Sequence, residues 1–206
     1  MIKPSDTKAQ SKMLLEGGKG NDRLVGGNKD DLIRGHAGHD ELEGGKGDDI
    51  LLGGKGSDVL DGGEGDDYLH GGDSADVLIG DTGKDVLVGG KGDDLLEGGP
   101  GADVLSGGRG ADLFVFAKLS DMGVGGQRDI VTDFKGGKGD RIDLRGLAKS
   151  TGLAGFTFIG DAAFTEAGQL RFENELLSGN VRGSHKADFE IQLVGVTCFK
   201  AEYLML

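Results

Sequence analysis

The chain of 206 residues is short of much that usually holds a domain together. Cys198 is its single cysteine, so no internal disulfide can form. That residue reads as a small buried apolar side chain, with a crosslinked dimer as the alternative. Tryptophan is absent, and 2 prolines stand against 43 glycines, which excludes a collagen-like chain because that needs both. No apolar run approaches the ~20 residues of a membrane span. Residues 1 to 10 hold no apolar stretch, so no cleaved export signal is expected there. The sequence has no HExxH, no Gly-x-Ser-x-Gly and no Gly-Lys-Ser/Thr, and the lone cysteine has no recognisable catalytic partner. Catalysis is therefore not expected.

Positive charge is scarce in one region only. Between Gly17 and Val115 there are 22 acids and 9 bases, a net of −13, whereas the rest of the chain holds 14 of each. A surface of that sign repels nucleic acid, whose binding depends on basic groups facing phosphates. Solubility alone would not need the acids in register with the glycines, but a cation site would.

Register is what this region has in abundance. From Gly17 to Val115 the pattern Gly-Gly-x-Gly-x-Asp-x-apolar-x recurs eleven times. Position 1 is always Gly. Position 6 is always Asp: Asp22, Asp31, Asp40, Asp49, Asp58, Asp67, Asp76, Asp85, Asp94, Asp103 and Asp112. Position 8 is always large and apolar, from Leu24 and Ile33 to Leu105 and Phe114. Position 7 favours β-formers such as Ile50, Val59, Tyr68 and Val77. The first six residues of each repeat read as a turn, in which Gly at positions 1, 2 and 4 permits positive φ and close approach. The last three read as a short strand.

Strands of three residues cannot stand alone. Coiled at two repeats per turn, they predict an all-β fold: a right-handed parallel β-roll of two sheets, with position 8 pointing inwards. At ~4.8 Å per strand the roll would stand roughly 25 Å tall. Its Leu ladder is too narrow to offset chain entropy by itself. Three regions are expected: a mobile leader at 1–12, the roll at 13–115 and a β-rich cap at 116–206. Leu15 is in phase with position 8, so Met13 to Glu16 would form an opening half-strand over the first edge.

The repeat chemistry suits calcium, a hard cation that takes six to eight oxygens. Asp offers a carboxylate on a short stem. Gly offers carbonyls that alternate in direction along an extended loop, so one loop can serve an ion above and another below. His36 and His39 do not make a zinc site, and His36 reads as occupying a tolerant loop position. Asp at the variable position 5 reads as a solvated extra charge. Lysines at position 3 (Lys19, Lys46, Lys55 and Lys91) are expected to point outwards and soften the repulsion.

These residues resemble the calcium-binding nonapeptide repeats of secreted bacterial RTX proteins. The resemblance implies that one loop gives the carbonyls of positions 2 and 4. The loop one turn later gives those of positions 1 and 3, and both aspartates complete the shell. Carried onto this chain, the early-loop carbonyls are those of Gly18, Gly20, Gly45, Gly47, Gly54, Gly56, Gly63, Gly65, Gly90 and Gly92. The late-loop carbonyls are those of Gly62 and Glu64, and of Gly107 and Arg109. Repeat n pairs with n+2, so at most nine inter-loop sites exist. The loop pairs Gly44–Asp49 with Gly62–Asp67, and Gly89–Asp94 with Gly107–Asp112, follow the pattern fully. His36 and Asp81 at position 2, and Lys29 and Ser74 at position 4, mark weaker loops. Lys29 is expected to hold a conformation that suits Gly and to lose its ion early.

After Val115 the period stops. Three later stretches, Phe116, Arg128 to Phe134 and Gly139 to Leu144, resemble the module that closes the roll in serralysin-type proteases and alginate-epimerase R-modules. Further strands are expected at Phe156 to Ile159, Leu170 to Glu173 and Phe189 to Val196. In the family an acidic loop precedes the segment matching Ala187-Asp188-Phe189. Here the loop from Asn180 to His185 is not acidic, so no ion is expected there. The ending Glu202-Tyr203-Leu204-Met205-Leu206 looks like the C-terminal signal of substrates of the type I secretion apparatus, an ABC exporter, and a last core strand would look similar. The expected function is a secreted calcium-binding protein with a structural, adhesive or surface role, which the short leader after Met1 favours. The alternatives are an accessory module of a secreted protease, lipase or epimerase, and binding of extracellular polysaccharide by the roll's flat face.

Overall fold

Eighteen residues separate each strand of the repeats from its partner, as in Leu32↔Ile50 and Val59↔Val77. That is two nonapeptides, so each turn of the coil consumes two repeats, as expected. The computed structural model describes residues 12–206, and the expected leader lies almost wholly outside them. The first strands are β1 (Leu14–Lys19), β2 (Arg23–Gly27), β3 (Leu32–Ala37), β4 (Glu41–Lys46), β5 (Ile50–Lys55) and β6 (Val59–Glu64). Next come β7 (Tyr68–Asp73), β8 (Val77–Thr82), β9 (Val86–Lys91), β10 (Leu95–Glu97), β11 (Val104–Arg109) and β12 (Leu113–Val115). Odd strands stack in parallel in one sheet and even strands in a second, giving a parallel β-roll.

Most of these strands span six residues, twice the expected length. They run from position 7 through position 3 of the following repeat, so the glycines read as turn take part in the ladder. Only positions 4 to 6 turn. Propensity gives way here to backbone pairing with the neighbouring coil, which the N–H and C=O of a glycine can enter despite its low strand preference. Position 8 points inwards, and every residue from Ile33 to Phe114 in that column is at most 1% exposed. Leu15 and Leu24, at the open end, are only partly buried. The expected opening strand is β1, which pairs with β3 and forms the outermost strand of its sheet.

The sheets continue past the last repeat. β13 (Asp129–Val131) pairs with β11 and β14 (Arg141–Asp143) with β12, in parallel as before. One short helix, α1 (Arg145–Thr151), follows. Then come β15 (Thr157–Phe158), β16 (Gln169–Glu173), β17 (Leu176–Asn180), β18 (Phe189–Leu193) and β19 (Leu204–Met205). β18 lies on β13, and β17 and β16 turn antiparallel beyond it. The apolar tail is a last strand, with Ile142↔Leu204. Phe199 and Tyr203 anchor it in a cluster of rings with Phe134, at 5.8 and 6.0 Å between centroids. Helix α1 and strand β17 lie outside the strands that the sequence predicts. Cys198 is exposed, against the expectation of a buried residue, because it lies in the irregular stretch before this anchor. No helix among the described residues is long and apolar enough to cross a membrane.

Candidate metal centre between the turns

The fully patterned loops Gly44–Asp49 and Gly62–Asp67 show how the backbone arranges the gap between two turns. The carbonyl oxygens of Gly45 and Gly47 occupy the space that a Cβ on Gly63 or Gly65 of the later loop would need. From that loop, the Gly62 oxygen occupies the same space at Gly44, and the Glu64 oxygen accepts the Gly47 N–H at 2.8 Å. The second pair repeats this: Gly90 and Gly92 face Gly108 and Gly110, Gly107 faces Gly89, and Arg109 accepts the Gly92 N–H at 2.8 Å. Elsewhere, the Gly20 oxygen faces Gly38, that of Gly54 faces Gly72 and that of Gly65 faces Gly83. Gly56 donates its N–H to the Asp73 oxygen at 3.1 Å. Forward-facing and backward-facing carbonyls thus meet in one gap.

Glycine is required for two different reasons. At positions 2 and 4 it is the backbone: Gly45 and Gly47 have φ of 111° and 109°. At position 1 no repeat has a positive φ, contrary to expectation, and the reason is space. A Cβ on Gly53 would sit 2.5 Å from Asp58 Oδ2 and 2.7 Å from the Gly71 oxygen. His36, Ser74 and Asp81 adopt the left-handed conformation without being glycine, at φ of 76°, 85° and 64°. Lys29 does not. It and Gly27 stay out of that region, so the loop from Gly26 to Asp31 takes another path where a side chain would be strained.

The aspartates form a continuous row. Asp31 to Asp112 are at most 2% exposed. Asp31 Oδ1 accepts the Met13 N–H at 2.6 Å, and from Asp40 onwards Oδ1 accepts the backbone N–H of the aspartate one turn earlier, as from Asp49 to Asp67 at 2.7 Å and from Asp58 to Asp76 at 2.8 Å. Oδ2 has nothing: in ten of them, Asp22 through Asp103, this buried oxygen has no hydrogen-bond partner. Such an orphan is costly. Burial raises the carboxyls of Asp49, Asp76 and Asp85 to about 7, against the hydrogen bond that lowers them, and neighbouring aspartates add to the rise. Asp67, Asp103 and Asp112 rise to about 6 for the same first reason.

The row does not stop with the repeats. Asp129 accepts the Asp103 N–H at 2.9 Å, and Asp140 accepts that of Asp112 at 3.2 Å. Asp133 accepts the N–H groups of Gly107 and Gly108 at 3.0 and 2.9 Å. Sequence reasoning missed these three roles, because the spacings are 26 and 28 residues in place of 18. The usable signal was Asp followed two residues later by Val131 or Ile142, the position 6–8 pair without its loop. Asp188, by contrast, is spent: Oδ2 accepts the N–H groups of Val181 and Arg182, and Arg182 pairs with Oδ1 at 3.1 Å.

Among the described residues no three His, Cys, Asp or Glu side chains converge on a point. A cation held here would therefore take a mixed shell of carboxylate and backbone oxygens, which suits calcium and not zinc. The orphaned oxygens, and a glycine cradle that a Cβ would fill, fit that ion.

Fold and acceptor rows define a cation-binding β-roll, and the comparisons agree. The RTX calcium-binding nonapeptide repeat family matches four stretches, residues 16–51, 43–78, 52–87 and 79–114. Among solved structures, the AlgE6R3 subunit from the Azotobacter vinelandii mannuronan C5-epimerase is similar, with 31% identity and a TM-score of 0.51. That likeness covers 73% of this chain and 80% of the other. The extracellular lipase LipA from Serratia marcescens is 18% identical with a TM-score of 0.37, over 90% of this chain and 40% of its own. No curated protein matches by sequence. The chain belongs to the RTX calcium-binding repeat family.

Proposed function

We propose that the protein is an extracellular, non-catalytic calcium-binding roll that folds when ions enter between its turns. The observation that carries this reading is the row of ten buried aspartate oxygens without a partner. Calcium would be held by Asp22 to Asp112 with the glycine-loop carbonyls, and it supplies the positive charge that the row lacks. Extracellular calcium modules bind at ~10⁻⁴–10⁻³ M. Below that range the acidic, glycine-rich chain stays open, which suits threading through a type I exporter, and outside it binding drives folding. The role that follows is structural, adhesive or surface-associated. Metal content measured after dialysis against millimolar calcium tests it. Several ions per chain, up to nine, support the reading, and one or none defeats it.

One observation favours a second reading, a targeting module that holds an anionic polysaccharide. Arg34, Lys55, His70, Lys91 and Arg109 line a shallow groove of about 870 Å³ on the outer face of the odd-strand sheet. The similar subunit comes from an enzyme named for mannuronan, a polymer of acidic sugars. Retention on an alginate resin at millimolar calcium, lost in Lys55→Glu/Arg109→Glu, supports this reading. Equal passage of both proteins through the resin refutes it.

A further inference from the structure

Position 5 looks free in the sequence: Asn21, Asp30, His39, Asp48, Ser57, Asp66, Ala75, Lys84, Asp93, Ala102 and Ala111. The structure shows a common task behind the variety. Asp30 Oδ1 accepts the Asp48 N–H at 3.1 Å, Asp48 Oδ1 that of Asp66 at 2.9 Å, and Asp66 Oδ1 that of Lys84 at 2.8 Å. On the opposite edge Asn21 Oδ1 accepts the His39 N–H at 2.9 Å, and His39 Nδ1 accepts that of Ser57 at 2.9 Å. Asp93 Oδ1 accepts the Ala111 N–H at 2.8 Å. These bonds run from the side chain of one loop to the backbone one turn later. The buried row runs the other way, from backbone to the later side chain, as from Asp31 to Asp49 at 2.6 Å. Where both exist, two stacked loops are tied in both directions, once inside and once at the rim.

Ser57, Ala75 and Lys84 accept no such bond from the following loop. The gaps after these three loops therefore lack the rim bond and keep only the inner row and the backbone pairing of the strands. The expectation of a solvated extra charge gives way to a defined contact, and identity varies because Asp, Asn and His each place an acceptor at the same point.

We propose that the position-5 side chain is a positioning residue for calcium: its acceptor, and not its charge, holds the two loops' carbonyls facing each other before the ion arrives. The proposal rests on the calcium reading and adds an order to it. Braced gaps are preorganised and lose less freedom on binding, so they fill at lower calcium than the gaps after Ser57, Ala75 and Lys84. A charge-only role makes the opposite prediction for a neutral acceptor, because Asn would attract cations no better than Ala.

The test is a calcium titration of the full chain, read by circular dichroism and by competition with a chelating dye. It compares the unaltered chain with Asp48→Ala, Asp48→Asn and Ala75→Asn. Asp48→Ala is expected to raise the calcium midpoint about three- to tenfold, the scale of one net hydrogen bond. Asp48→Asn stays within about twofold of the unaltered chain by the same argument. Ala75→Asn, which supplies a missing brace, lowers the midpoint. Equal shifts in both Asp48 variants, or no shift in Ala75→Asn, overturn the proposal while the calcium reading stands. An unaltered chain that is insensitive to calcium overturns both.

Discussion

Each position-6 aspartate from Asp31 to Asp103 has one oxygen that the fold satisfies and one that it does not. Oδ1 of Asp85 takes the Asp67 N–H at 2.8 Å, while Oδ2 is buried alone. This division sets the pH response of the metal-free chain. Burial raises these carboxyls from 3.8 towards 6 or 7 in the fold. The folded state then binds more protons than the unfolded state across that window, so stability falls as pH rises through it. In excess chelator the roll should therefore be best formed near pH 4 and lose β-signal towards pH 7, as read by circular dichroism. A chelated chain that gains structure on going from pH 4 to pH 7 would contradict this. The two kinds of glycine part company in mutants. Gly53→Ala drives a Cβ against Asp58 and Gly71 and should abolish calcium-driven folding of its turns. Ser74→Gly relieves a left-handed φ of 85° and should stabilise the calcium-loaded chain by about 1 kcal/mol in denaturant melts.

At the scale of the strand, the sequence was legible wherever the period itself carries the information. The repeat unit and the inward column follow from a nine-residue spacing of apolar residues, and the two-repeat turn, with its pairing of repeat n with n+2, from the family resemblance. Strand length did not follow. Gly62 and Gly63 read as turn by propensity yet lie in β6, because the adjoining coil offers them a ladder that no local preference reveals. The column is one residue thick, so each member matters. Leu69, fully buried in β7, leaves a cavity when cut to Ala and should cost roughly 2–5 kcal/mol in saturating calcium. A loss under 1 kcal/mol would mean that the column is not a packed core. Exposed ion pairs between turns, such as Lys46–Glu64 at 2.5 Å and Lys91–Asp73 at 2.7 Å, contribute little by comparison.

For the molecule as a whole, a net charge of −13 concentrated in the repeats opposes compaction. The interior that must resist it is a single apolar ladder, thickening only at the cap, where Phe114, Phe134 and Phe199 meet. The cap was the least legible part, since Asp129 and Asp140 repeat the task of position 6 without its spacing, and α1 and β17 carry no periodic mark. Ions between turns supply the cohesion that the ladder lacks. The direct test is a calcium titration of the metal-free chain at neutral pH, followed by circular dichroism. We expect little β-signal in excess EGTA and a cooperative rise at ~10⁻⁴–10⁻³ M calcium. A full β-signal already present in EGTA, unchanged by calcium, would contradict the account.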